Sequence, residues 1–157
     1  LKREGVIGAI GVGLNQTAWA ERWVRDAEID AVMVAGRCTL LNREAEASLI
    51  PSCAARGVAY VAAGAFNGGL LARRAGTSAT FNYRPVDPAV GAAHARLEAL
   101  AAEHGVGLPA AAVQFVLRNP HVAALVIGAA TVAEVEANCA ALAVRIPDAF
   151  WSAVEAP

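Results

Sequence analysis

Charge is scarce in this chain of 157 residues, and lysine is nearly absent. Charged residues make up 17%, the 13 basic and 14 acidic side chains leave a net charge of −1, and Lys2 is the only lysine. With no basic cluster and no interleaving of basic and aromatic residues, the features that recruit nucleic acid are missing. Long apolar runs are missing as well. The hydrophobic fraction of 57% and the mean hydropathy of +0.44 are high, but alanine supplies much of both. No uninterrupted run approaches the roughly 20 residues that a spanning helix needs, so membrane insertion is not expected. Cysteine is sparse: Cys38, Cys53 and Cys139 are odd in number, far apart and set among apolar neighbours. That suits buried thiols in a reducing compartment better than a disulfide framework, and a cytoplasmic protein is expected. His94, His104 and His121 stand at no metal-ligand spacing to these cysteines, so no metal site is expected. An initiator methionine is lacking too. Leu1 to Gly5 read as the last turn of a helix with a glycine stop, without the apolar region of a signal peptide, and the chain is expected to start in mid-fold.

The chain has the length of one domain, enough to bury roughly two thirds of its unfolded surface if it closes on itself. Apolar strands alternate with helical patterns along it. Strands are expected at Val6 to Val12, Ala31 to Ala35, Val58 to Ala63 and Leu125 to Ile127, and helices at Gln16 to Asp26, Arg43 to Arg56, Pro88 to His104 and Pro109 to Arg118. A last helix runs to Leu142, and the tail from Ile146 to Trp151 is expected to pack an aromatic onto the outside. Trp19 and Trp23, four apart on one helix face, read as core packing against a sheet. The longest irregular stretch, Arg73 to Asp87, carries Phe81, Tyr83 and Arg84 and reads either as a loop closing over a site or as a surface connection.

The segment from Leu125 to Asn138 has the most chemical content. An apolar strand runs into Gly128, then Thr131, then a helix with Glu134 and Asn138. A glycine at the strand end lets an anion approach the backbone, and the following helix points unpaired N–H groups and its positive dipole end at it. Thr131 with Glu134 three residues on equally fits a capping box at an ordinary helix start. Three earlier segments end in the same strand, loop and helix pattern. Strands that are apolar on both faces and alternate with helices imply a parallel sheet, in a (β/α)8 barrel or a doubly wound fold. A doubly wound dinucleotide domain needs its glycine fingerprint after the first strand, whereas Gly8, Gly11 and Gly13 stand in the wrong order, partly inside the strand. The barrel is therefore expected; a flavodoxin-like nucleotide or acyl domain is the other fold to weigh.

The segments VIGAIGVGLN (Val6 to Asn15), AGRCTLL (Ala35 to Leu41), FNGGLL (Phe66 to Leu71), ATFNY (Ala79 to Tyr83) and Ile127 to Asn138, in order and with matching intervals, resemble the second half of the aldo-keto reductase superfamily. The branch containing L-fucose and D-threo-aldose dehydrogenases is the nearest in pattern. The resemblance implies an α/β chain with about four parallel strands and their helices, the second half of a (β/α)8 barrel, filling residues 1–157 as a single partial domain. It also implies a missing N-terminal half-barrel and, for the whole protein, hydride transfer between nicotinamide and a sugar or other small aldehyde or alcohol. The tyrosine, lysine, aspartate and histidine that catalyse in the family lie on its first four βα units. None carries over, since Lys2, Tyr60 and Tyr83 match no family motif, and the chain as given should not catalyse.

What the resemblance carries over is a surface for NAD or NADP. Asn15 matches the nicotinamide-amide contact, with Gly13 in place of the usual serine and Leu14 shifting the asparagine by one. After the second strand, Ala35 and Cys38 replace a common glutamine and a frequent tyrosine. In the loop from Gly64, the residues Phe66, Asn67 and Gly68 match the segment whose backbone meets the pyrophosphate, while the stacking aromatic falls at Ala63. Gly128, Ala129, Ala130 and Thr131 match the phosphate loop and Asn138 an adenine contact. Neither Ala130 nor Glu134 is the basic residue that holds a 2′-phosphate, and Glu134 would repel one, so NAD is favoured. The other reading is a free-standing, non-catalytic half-barrel that binds a nucleotide or dimerises.

Overall fold

A computed structural model describes residues 1–72, 80–81 and 84–156. In chain order the elements are β1 (Gly11–Leu14), α1 (Thr17–Asp26), β2 (Ala31–Ala35), α2 (Glu44–Ala47), α3 (Leu49–Arg56), β3 (Ala59–Ala63), a 3-10 turn (Leu70–Ala72), β4 (Thr80–Phe81), β5 (Arg84–Pro85), α4 (Pro88–Glu103), α5 (Leu108–Leu117), β6 (Val122–Val126), α6 (Val132–Ala141) and α7 (Asp148–Glu155). They fall into two compact units, one of Leu1–Ala65 with Val116–Val126 and one of Phe66–Phe115 with Ile127–Pro157. No single helix among the described residues is long and apolar enough to cross a membrane.

The first unit holds a four-stranded sheet in the order β1-β2-β3-β6 with every pair parallel. The order follows the sequence without reversal. A doubly wound sheet reverses at its switch point, so this arrangement is that of consecutive barrel strands. Successive side chains point to opposite faces. On the side covered by helices, Val32, Val34, Tyr60 and Ala62 are fully buried. On the other side Gly13, Met33 and Val126 are exposed.

Several boundaries and placements differ from expectation. The first strand begins at Gly11, not Val6, because the Asp30 carboxylate takes the Ile10 N–H at 2.8 Å and the Ile10 carbonyl accepts from Asp30 N, which anchors the entering chain outside the ladder. Lys2 bonds the same carboxylate, and the pair holds Asp30 below its ordinary carboxylate range. The glycine stop is present: Val6 N–H reaches Leu1 O and Gly5 N–H reaches Lys2 O, both at 3.0 Å, with Gly5 at φ +72°, the Schellman pattern. The helix expected over Arg43 to Arg56 is two helices, broken at Ser48. Pro51 cannot bond the carbonyl four residues back, so the chain restarts a helix in which proline occupies the first turn. β6 starts at Val122, earlier than expected.

Trp19 and Trp23 are not core residues; they are 52% and 43% exposed. α1 buries Thr17, Ala20 and Val24, and its neighbouring flank bonds outward through Glu21 to Ser48 and through the Arg25 carbonyl to Arg56. At 100° per residue the tryptophans stand on the opposite flank, beyond the edge strand β1. Cys38 and Cys53 are buried as expected, but Cys139 is exposed, since α6 buries Ala141 and turns Cys139 outward with Val132 and Val135.

In the second unit, Asp87 caps α4 by accepting from Ala89 N–H at 2.8 Å, with Pro88 at its first position. The tail expected to lay an aromatic on the outside forms α7 instead, with Phe150 and Trp151 buried, and the His104 ring meets the Phe150 ring edge-on at 6.0 Å. Gln114 of α5 donates through Nε2 to the carbonyls of Ala141 and Val144, at 2.8 and 2.7 Å. β4 and β5 pair antiparallel. The Arg73 to Asp87 stretch is described only in part: residues 73–79 and 82–83, Tyr83 among them, lie outside the described residues.

Candidate nucleotide site

In a parallel sheet all strands end on one edge, and the loops that carry chemistry leave from there. In the first unit, β1 ends at Leu14, and Asn15 beyond it is exposed. Gln16 follows at the start of α1 without a side-chain cap. β3 ends at Ala63, whose carbonyl accepts from Gly36 N–H at 2.8 Å across to the end of β2. Gly64 takes φ +67°, and a Cβ there would stand 3.3 Å from the Gly36 nitrogen. Both the left-handed turn and this close approach require glycine.

The second unit holds the remaining candidates. Asn67, Gly68 and Gly69 take positive φ in succession, +47°, +70° and +90°, an unusual run that wraps the backbone tightly after the half-buried Phe66. The Phe66 carbonyl closes the turn, accepting from Gly69 N–H and Leu71 N–H at 3.0 and 3.1 Å. Asn67 is only 3% exposed, and neither atom of its side-chain amide has a partner among the described residues. Gly128, Ala129, Ala130 and Thr131 form an exposed loop into α6.

At that helix start the expected capping box is present in a shifted form. Thr131 Oγ1 accepts from Glu134 N–H at 3.2 Å, and the Glu134 carboxylate reaches back to Ala130 N–H at 2.6 Å. Glu134 thus fills the position that an incoming anion would take, and it places a negative charge on the loop. Donors such as ribose hydroxyls suit that carboxylate; a phosphate group does not. Asn138, half-buried, stands one turn further along α6. Thr131, Ala130 and Glu134 are joined directly by hydrogen bonds, while Asn15 and Gly64 belong to the other unit.

Two groups with acid–base chemistry lie in or beside the sheet without suiting it. Tyr60 is fully buried on the helix-covered face, its hydroxyl has no partner among the described residues, and burial pushes its pKa up. Burial also pushes the Cys38 thiol up to about 12. Neither donates or accepts a proton readily at neutral pH. Arg37, which the sequence pattern did not single out, stands just after β2 with its guanidinium paired to Glu44 at 3.2 Å; a basic residue directly after a strand-ending glycine was the available signal.

The chain is 36% identical over 153 residues to a D-threo-aldose 1-dehydrogenase of a Pseudomonas species, covering 97% of this chain and 46% of that protein. It is 34% identical over 152 residues to a pyridoxal 4-dehydrogenase of Microbacterium luteolum, covering 97% of this chain and 44% of the relative. Among solved structures, the apo form of an aldo-keto reductase from Bacillus halodurans superposes with a TM-score of 0.74 at 22% identity, over 99% of this chain and 52% of that one. A glycerol dehydrogenase from Gluconobacter oxydans superposes at 0.72 and 25% identity, over 99% and 50%. The chain spans about half the length of each. Its four consecutive parallel strands and their helices form half of a (β/α)8 barrel, and residues 1–156 match the aldo/keto reductase family, to which the chain therefore belongs.

Proposed function

We propose that this chain is the second half of an NAD(P)-dependent oxidoreductase that moves a hydride between nicotinamide and a sugar or another small aldehyde or alcohol. Its part is to hold the cofactor: Asn15 toward the nicotinamide amide, the Gly64 to Gly68 turn under the pyrophosphate, the Gly128 to Thr131 loop with Glu134 at the adenosine ribose, and Asn138 at the adenine. The names of its relatives support the reaction class. The tetrad that catalyses lies on the missing half, and the chain alone is inactive. Buried Tyr60, facing the helices, is consistent with that.

The observation that carries the cofactor choice is the Glu134 carboxylate seated on Ala130 N–H. It accepts from ribose hydroxyls and repels a 2′-phosphate, so the completed enzyme prefers NAD. The test compares NAD and NADP turnover in a barrel completed with the preceding half of the parent chain. A higher kcat/KM with NAD is expected, and Glu134→Arg, which supplies a guanidinium for the phosphate, raises efficiency with NADP by about 10- to 100-fold. Better efficiency with NADP in the unaltered enzyme would sink the proposal. Turnover by the 157-residue chain alone would overturn its assignment as the non-catalytic half.

A further inference from the structure

Three helices bring a carboxylate to their own first turn: Asp87 caps α4, Glu134 lies at the start of α6 and Asp148 at the start of α7. α1 brings none. Its N-cap, Gln16, makes no side-chain bond, and among the described residues no group accepts from the N–H of Thr17, Ala18 or Trp19. The first bond of the helix runs from Ala20 N–H to Gln16 O at 3.2 Å. Glu21, the first carboxylate along α1, stands a turn further on and accepts from the Ser48 hydroxyl.

A bare helix end at a surface is satisfied by water and by itself selects nothing. Thr17 changes that. It is 4% exposed, and its hydroxyl has no partner among the described residues. Side chains on a helix lean toward its N-terminus, so the hydroxyl of the first residue stands at the mouth of that end, on the flank that α1 buries with Ala20 and Val24. A buried hydroxyl left unbonded costs free energy, which a ligand accepting from it restores. Three N–H groups, one O–H and the positive pole of the helix thus meet in one place, and Asn15, Gln16, Ala18 and Trp19 around it are exposed.

We propose that the N-terminus of α1 is a subsite for a small oxyanion, a carboxylate or a phosphate monoester. The number of donors selects the class: a neutral carbonyl accepts about two hydrogen bonds and a carboxylate about four. The chain shows the same preference at α6, where the Glu134 carboxylate takes the Ala130 N–H. β1 leads straight into this end, with Thr17 two residues beyond Asn15 on the strand-end edge. Its place beside the nicotinamide rests on the assignment of Asn15; the subsite itself does not.

Titration of the completed barrel with inorganic phosphate, followed by the ¹H–¹⁵N resonances of Thr17, Ala18 and Trp19, tests it. Saturable shifts at these amides are expected on the order of millimolar phosphate. Thr17→Val, which keeps the shape and removes the hydroxyl, weakens binding about three- to tenfold. Ala18→Asp, at an exposed position where a carboxylate favours the helix, supplies the oxyanion from within; it abolishes the phosphate shifts and raises the thermal midpoint. Absence of saturable shifts overturns the proposal, as does binding that either substitution leaves as tight as before. Turnover of an aldehyde carrying a phosphate monoester, against its uncharged analogue, separates the sources. Competition by inorganic phosphate against the charged aldehyde alone places the oxyanion on the substrate; phosphate bound with both KM values unchanged makes it a separate ligand, and both outcomes uphold the subsite. Phosphate shifts in a barrel without NAD or NADP turnover uphold it too, and sink the nicotinamide assignment instead.

Discussion

The two faces of the sheet are built from similar apolar residues and carry different weight. Val32, Val34, Tyr60 and Ala62 sit under helices with no more than 1% of their surface exposed, while Met33, between two of them in sequence, is 38% exposed. Alternation in a strand decides which side a residue faces; only the layers outside the sheet decide whether that side is buried. Apolarity on both faces therefore reports what the fold is built to cover, and burial reports what this chain covers by itself.

The largest test of that contrast is Tyr60→Ala, which empties a fully enclosed site and lowers unfolding free energy by about 3 to 5 kcal/mol, read from urea denaturation. Met33→Ala, at a position already 38% exposed, should cost less than about 0.5 kcal/mol. Equal costs at the two positions would erase the distinction between the faces.

A second test uses the thiols of the covered layer. Burial raises Cys38 from 9.0 to about 12 and Cys53 to about 11. Below pH 9 both are neutral in folded and unfolded chains alike, and their contribution is fully present. As pH rises past 9.0 the unfolded chain releases these protons while the folded chain retains them, so stability falls and the loss is complete once the folded values are passed. Urea midpoints should drop between pH 9 and 11, and Cys38→Ala should flatten that slope. A small effect, of the opposite sign to Tyr60→Ala, is expected from Tyr60→Phe. The hydroxyl it removes is buried without a partner, so the change should lie within about 1 kcal/mol and lean toward stabilisation.

Much of the architecture was legible because local rules and tertiary structure agreed. The Gly5 stop, the helix start at Pro88 and the Thr131–Glu134 cap rest on contacts within a few residues, and the middle strands show as short apolar runs between helical patterns. Where distant groups intervene, the pattern misled. The Ile10 N–H goes to Asp30, twenty residues away, and delays β1. The Trp19 and Trp23 spacing describes an apolar flank correctly but cannot tell a neighbour within the chain from one outside it. α7 was missed because its aromatics read as a surface patch, although Phe150 has the α4 end and His104 to pack against. Within the candidate site, the loops and glycines were legible. The exchange of Glu134 with Ala130, and the buried, unpaired amide of Asn67, were not, for no spacing encodes where a side chain folds back.

The Gln114 side chain has a consequence for motion. Helix ends fray because their last carbonyls lack partners, and the end of α6 is met by a single amide group that grips Ala141 and Val144 together from α5. Loosening the end of α6 strands two carbonyls and a half-buried amide at once, and loosening α5 withdraws that clamp from α6. The two segments therefore open as one unit, and hydrogen exchange across the end of α6 should follow the breathing of α5, with a shared opening free energy in place of the gradual fraying of an unclamped terminus.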